Sequence, residues 1–130
     1  MPPMKMQHAV DPAQEIRDAV GALKDVELFN MQVLVGIYIR PQKTKSGIIL
    51  TDKTVEEDRY QGKVGLVLKA GPSAFVDETG KWFNGETVKV GDWVVFRPSD
   101  GWAVSINGQP CRILDDLSIK ARVKEPDMIW

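Results

Sequence analysis

Residues 31–40 read MQVLVGIYIR, and their pattern of apolar residues indicates what kind of fold the chain adopts. Every second residue is a large aliphatic one: Met31, Val33, Val35, Ile37 and Ile39. Because a period of two places successive side chains on opposite faces of a strand, the pattern predicts a long strand with one face turned to a core. Pro41 ends the strand, since proline has no N–H to donate to a sheet.

Strand character returns at several places further along the chain. The stretches are residues 60–69, 93–96, 102–106, 109–114 and 117–123. Asn107 and Gly108 predict a tight hairpin between the third and fourth of these, because the favoured two-residue turn needs positive φ at both positions. Residues 73–87 have the composition of a hairpin with a broad tip. Short strands separated by turn residues indicate a mainly β fold, either a small antiparallel barrel or a sandwich.

One amphipathic helix is predicted ahead of the strands. Asp11 is a suitable N-cap and Pro12 suits the first helical position. The apolar side chains on one face are Ile16, Val20 and Leu23. We expect the helix to end near Lys24 or Asp25 and the first ten residues to form an arm before it.

Composition excludes several classes of protein. The 130 residues carry 17 Lys and Arg against 18 Asp and Glu, so there is no global basic field to hold a polyanion. One cysteine and one histidine exclude an internal disulfide and a Cys/His zinc site. Near the N-terminus there is no signal-peptide pattern, and the uncharged run of residues 28–39 falls short of the ~20 residues of a membrane span. We therefore expect a cytoplasmic protein with no membrane or nucleic-acid partner.

No residue pattern indicates catalysis, a cofactor or a metal. His8 lies in the arm, where a general base would not be held in place. The acidic clusters at residues 56–58, 77–78 and 115–116 are neighbours in sequence and are expected to be solvated turns. Cys111 is expected to be a small buried hydrophobe. A barrel with Trp82, Phe83, Trp93 and Trp102 could stack bases, but Trp93 lies in an apolar run and is better explained as a core residue or a subunit contact.

The feature that needs a function is the triplet Ile48, Ile49 and Leu50. It interrupts a long polar stretch, residues 42–59, in which Val55 is the only other large apolar residue. Such a patch is either a segment that folds back onto the core as an edge strand or a site for a partner. The length of the polar flanks favours a partner site.

Three blocks in order carry a resemblance to a known family. They are residues 47–51 (GIILT) followed by 62–64 (GKV), residues 88–96 (VKVGDWVVF) and residues 114–119 (LDDLSI). Their order and spacing resemble the GroES-type co-chaperonins of the chaperonin-10 family, the lids of double-ring chaperonins. The resemblance covers about residues 31–123.

The resemblance implies a non-enzymatic lid built as a sevenfold ring of small antiparallel GroES-like β-barrels. Residues 42–59 would be a mobile loop whose Gly47, Ile48, Ile49 and Leu50 dock into an apolar groove of a GroEL-like chaperonin. Residues 73–87 would form a roof hairpin. The chaperonin would bind ATP, and the lid would enclose a client protein during folding.

The resemblance also implies where the subunits meet. The strand at residues 31–40 would pair with the final strand, residues 118–123, of a neighbour. The predicted boundary residues are Met31, Val33, Val35, Ile119, Ala121 and Val123.

Two extensions depart from the usual family pattern. Residues 1–30 precede the barrel domain, residues 31–123, and a tail, residues 124–130, follows it. We expect the helix of the first extension to cover apolar surface on the barrel. The extensions suit a divergent, for example phage-encoded, co-chaperonin. They also leave open a rival function, a structural or assembly protein of a virus particle with the same fold.

Overall fold

The computed structural model of the protein describes residues 11–39, 62–76 and 87–128. Within these ranges the elements are the helix α1 (Pro12–Val20) and the strands β1 (Gln32–Ile37), β2 (Val64–Ala70), β3 (Trp93–Val95), β4 (Trp102–Ile106), β5 (Gln109–Asp115) and β6 (Ala121–Val123). Two short 3-10 turns follow β5 and β6, at Asp116–Ser118 and Pro126–Met128. The prediction of a mainly β fold with one N-terminal helix is confirmed.

The strands form one antiparallel sheet in the order β4-β5-β1-β2-β3-β6. β1 lies between β2 and β5 of the same chain, with Val35 opposite Val67 on one side and Arg112 on the other. β4 and β5 form the hairpin predicted from Asn107 and Gly108, which have φ of 52° and 83°. Among the described residues, β4 and β6 are the two edges of the sheet.

Both faces of β1 are buried, whereas the sequence pattern predicted one. Val33, Val35 and Ile37 pack in one cluster with residues such as Val94 and Leu114. The alternate residues Leu34 and Tyr38 pack in a second cluster with Leu66, Leu68 and Trp93. The second face is buried because α1 lies over it, and Ala13, Ile16 and Val20 belong to that cluster. The expectation that the helix covers apolar surface of the sheet is confirmed.

The helix is shorter than predicted. It ends at Val20 because Gly21 adopts φ +70° and donates its N–H to the Arg17 carbonyl. Leu23 lies beyond the helix, yet it still packs against the same cluster. Asp11 precedes the helix but makes no side-chain capping bond.

Side chains of the sheet hold the end of α1 and the segment that follows it. Asn107, in the β4–β5 turn, donates its Nδ2 hydrogen to the Val20 carbonyl at 2.8 Å. Lys69, at the end of β2, donates its Nζ hydrogens to the Leu23 carbonyl at 2.9 Å and to the Val26 carbonyl. The first bond gives a partner to a carbonyl of the last helical turn, and the bonds from Lys69 hold the segment that follows the helix. The extension is therefore an integral part of the folded chain.

Of the helices in the described ranges, none is long and apolar enough to span a membrane.

Candidate functional site

The predicted binding residues Gly47, Ile48, Ile49 and Leu50 lie outside the described residues. The structure describes the chain on either side of them. The Tyr38 N–H donates to the Val64 carbonyl at 3.0 Å, and the Phe96 N–H donates to the Lys63 carbonyl at 3.0 Å. Residues 40–61 are therefore inserted between two points that the sheet holds side by side.

Tyr38 anchors the first of these points, which we call the loop root. Its hydroxyl donates to Oδ1 of Asp127, and both side chains are buried. Its ring meets the ring of Trp93 edge to face, with 5.7 Å between centroids and 71° between planes. Gln109 donates its Nε2 hydrogen to the neighbouring carbonyl of Ile37 at 3.0 Å. The loop root is thus fixed through both its main chain and its side chain.

A second predicted feature, the roof hairpin at residues 73–87, falls largely on residues 77–86, which lie outside the described ranges. Its first residues are held by Asp116, whose Oδ2 accepts the Phe75 N–H at 2.9 Å. Phe75 has φ of 61°, which is uncommon for a residue with a bulky side chain. Ser73 donates its N–H to the Asn30 carbonyl at 2.9 Å.

The role of Asp116 corrects a prediction from the sequence. Asp115 and Asp116 were expected to form a solvated acidic turn. Asp115 is exposed and accepts a bond from Gln32 Nε2 at 2.6 Å, but Asp116 is only 5% exposed. Asp116 is buried because the Phe75 N–H compensates its carboxylate.

The predicted subunit boundary is wrong for Val33 and Val35. Both are 0% exposed, because β2 and β5 of the same chain occupy both sides of β1. Of the other predicted residues, Met31 is 43% exposed, Ala121 is exposed, and Ile119 and Val123 are half-buried. Within the described ranges β6 has β3 as its one strand neighbour, so its outer edge is open.

An exposed aromatic residue that is absent from the predicted boundary lies two positions before Met31. Phe29 is 66% exposed, although its chain neighbour Leu28 is buried. The sequence does contain an indication of this apolar surface, since residues 26–31 hold four apolar side chains without the period of a strand.

Two side chains of β5, Cys111 and Arg112, have shifted pKa values. Burial raises the pKa of the Cys111 thiol to about 11, a rise that a backbone hydrogen bond at Ile106 only partly offsets. Burial also lowers the pKa of Arg112, against the raising effect of Asp100. The Cys111 thiol is therefore protonated at neutral pH and packs as an apolar side chain, as predicted.

Nothing in the described ranges brings metal-ligating side chains together. No group of three or more His, Cys, Asp or Glu residues in these ranges could hold a metal ion. His8 lies outside them. Of the aromatic residues considered as a base-stacking surface, Trp93 is buried, Trp102 is 77% exposed, and Trp82 and Phe83 are outside the described ranges.

Comparison with known proteins agrees with the resemblance seen in the sequence. A family model described as "Chaperonin 10 Kd subunit" (Cpn10) matches residues 25–123. Proteins named co-chaperonin GroES are similar to the chain. The one from Halothermothrix orenii is 35% identical over 91 residues, which are 70% of this chain and 88% of that protein. The one from Methylorubrum populi is 41% identical over 78 residues, which are 60% of this chain and 75% of that protein.

The match leaves out residues 1–24, which are most of the first extension, and the whole tail, residues 124–130. It begins after α1 and ends at Val123, before the Pro126–Met128 turn. Nothing in these comparisons favours the rival function of a virus-particle protein. The chain belongs to the Cpn10 family and is a co-chaperonin of the GroES type.

Proposed function

We propose that this co-chaperonin is a non-enzymatic lid that binds the apical domains of a GroEL-type chaperonin ring through residues 42–59, the binding segment. Gly47, Ile48, Ile49 and Leu50 would make the contact, and the lid would enclose a client while the chaperonin holds ATP. The observation that carries the proposal is the Tyr38 to Val64 bond within the family match. It supports a loop that leaves and re-enters the sheet at one place, with an apolar triplet in its sequence.

The energetics favour a lid with many copies of the segment. Burying three aliphatic side chains is worth ~1.5–3 kcal/mol each. Ordering five residues of backbone costs ~1–2 kcal/mol each. The two terms nearly cancel, so one segment alone would bind weakly. Linking several copies in one ring makes the later contacts intramolecular, and avidity then supplies the affinity.

We propose a ring of seven subunits joined at the open edge of β6. A neighbour would cover this edge with the chain just before its own β1, where Phe29 and Met31 are exposed. An uncovered sheet edge offers backbone groups to another chain, and exposed apolar side chains favour burial. Ile119, Ala121 and Val123 remain in the proposed boundary. Val33 and Val35 do not, because they are core residues.

Co-sedimentation with a GroEL-type chaperonin tests the proposed contact. The variants are Ile49→Asp and, as a matched control in the same segment, Thr54→Asp. With ATP, wild type and Thr54→Asp should pellet with the chaperonin, whereas Ile49→Asp should stay in the supernatant. Native mass spectrometry should give the same oligomer mass for all three. Equal pelleting of Ile49→Asp and wild type would contradict the proposed contact.

A further inference from the structure

Two elements outside the family match, α1 and the turn at Pro126–Met128, are both associated with Tyr38. From the N-terminal side, α1 contributes Ile16 and Val20 to the cluster that contains Tyr38. From the C-terminal side, Asp127 accepts the hydrogen bond of the Tyr38 hydroxyl. Tyr38, which lies in the matched region, therefore shares a hydrophobic cluster with α1 and a hydrogen bond with the tail.

The C-terminal tail is attached through its middle residues. Pro126 and Asp127 are buried, while Glu125 and Met128 on either side are exposed. Asp127 is only 8% exposed. Because burying a carboxylate is costly unless it is hydrogen-bonded, the Tyr38 hydroxyl is a reason for the tail to fold inward here.

Tyr38 lies two residues before the stretch 40–61 that contains the binding segment. Its N–H is bonded to Val64, and its ring packs against Trp93. The bond to Asp127 adds a third constraint, on the far end of the same side chain. The tail thus holds the outer end of the Tyr38 side chain at the loop root.

We propose that Asp127 is a positioning residue for chaperonin binding, which acts by fixing the loop root through Tyr38. The inference rests on the proposed function, because it assumes that residues 42–59 make the chaperonin contact. A segment that starts from a fixed root loses less conformational freedom when it docks, so it binds more tightly. A small gain at each copy is multiplied across a ring.

The test measures affinity for a GroEL-type chaperonin with ATP, using full-length protein. The variants are Asp127→Ala and its matched control Glu125→Ala, which removes an exposed carboxylate from the same tail. Tyr38→Phe removes the bond from the other side and keeps the ring against Trp93. The double variant with Tyr38→Phe and Asp127→Ala shows whether both act through the same bond.

We expect Asp127→Ala and Tyr38→Phe each to weaken binding by about tenfold, since the loss is repeated at every copy, and Glu125→Ala to bind like wild type. The double variant should be no weaker than the single ones. Hydrogen exchange of the Tyr38 N–H in the free co-chaperonin should be faster in both single variants. The affinity is measured well below the melting temperature, where a purely structural role of Asp127 would leave it unchanged.

Two outcomes overturn the inference in different ways. If Asp127→Ala and Tyr38→Phe bind as tightly as Glu125→Ala while Ile49→Asp does not bind, the positioning role is wrong and the proposed function stands. If wild type itself does not bind, both are wrong. Should Asp127→Ala fail to fold, the Tyr38→Phe result alone decides, because that variant keeps the aromatic ring.

Discussion

Gly36 is the residue that lets α1 lie close to the sheet. A Cβ at this position would stand 2.5 Å from Cγ2 of Ile16 and 3.2 Å from Cδ1 of Leu68. Neither atom can retreat freely, because both side chains are buried in the same cluster. The absence of a side chain at Gly36 is therefore a requirement of the packing of the helix on β1.

We expect Gly36→Ala to lower the free energy of unfolding by about 1–3 kcal/mol, the usual cost of forcing extra volume into a packed core. Urea denaturation followed by circular dichroism measures this change. In the Ile16→Ala background the same substitution should cost much less, since the clashing Cγ2 is gone. A Gly36→Ala protein as stable as wild type would contradict the close packing of α1.

Cys111 gives a prediction with a definite pH dependence. Its thiol pKa is about 11 in the folded protein against an ordinary value of 9.0, so it should not react with a thiol reagent at pH 8 unless the protein unfolds. Because the folded state holds this proton more tightly, its contribution to stability is complete below pH 9 and is lost as the pH rises towards 11. Labelling with and without urea checks the first statement. Rapid labelling of the folded protein at pH 8 would contradict it.

At the scale of elements, the sequence predicts the positions of the strands better than it predicts which elements pack against them. The alternation in residues 31–40 locates β1, but a period of two does not say whether the second face is covered. The clue was the apolar pair Leu34 and Tyr38 on the face expected to meet solvent. The predicted helix covers this second face of β1. Only the structure shows that the helix and the strand pack against each other.

The sequence pattern also did not predict the length of α1. Leu23 continues the apolar face in sequence, which predicted a longer helix. Gly21 ends the helix earlier, and Leu23 reaches the same cluster from outside it. Periodicity identified the buried residues correctly, although it did not locate the helix end.

The bond from Asn107 to Val20 ties the β4–β5 turn to the end of α1. Asn107→Gly keeps a residue suited to positive φ but removes this bond, so we expect a loss of about 0.5–1.5 kcal/mol in the free energy of unfolding. A matched control is Asn30→Gly, since Asn30 also has positive φ. Urea denaturation compares the two. If Asn107→Gly is no less stable than Asn30→Gly, the turn does not stabilise the helix end.

At the scale of the whole molecule, side chains distant in sequence form the loop root. Ile48, Ile49 and Leu50 can be selected from the sequence because they interrupt a polar stretch. The Tyr38 to Asp127 bond spans 89 residues, and no local pattern indicates it. The predicted subunit boundary is wrong at Val33 and Val35 for a related reason, because the sequence does not show which strands flank β1.

The proposed ring contact predicts different effects for two exposed aromatic residues. Phe29 precedes β1 and is 66% exposed, whereas Trp102 lies on the opposite edge strand, β4, and is 77% exposed. Phe29→Lys should give monomers in native mass spectrometry, since it places a charge in the contact. Trp102→Lys should leave the oligomer intact. Loss of the oligomer in Trp102→Lys alone would place the contact at β4 instead.

The proposed lid would cap a chaperonin ring through the triplet Ile48, Ile49 and Leu50. Electron microscopy of a GroEL-type chaperonin mixed with the protein and ATP tests it most directly. Wild type should give rings with a dome on one or both ends, and Ile49→Asp should leave the rings bare. Bare rings with wild type, or domes on rings mixed with Ile49→Asp, would contradict it.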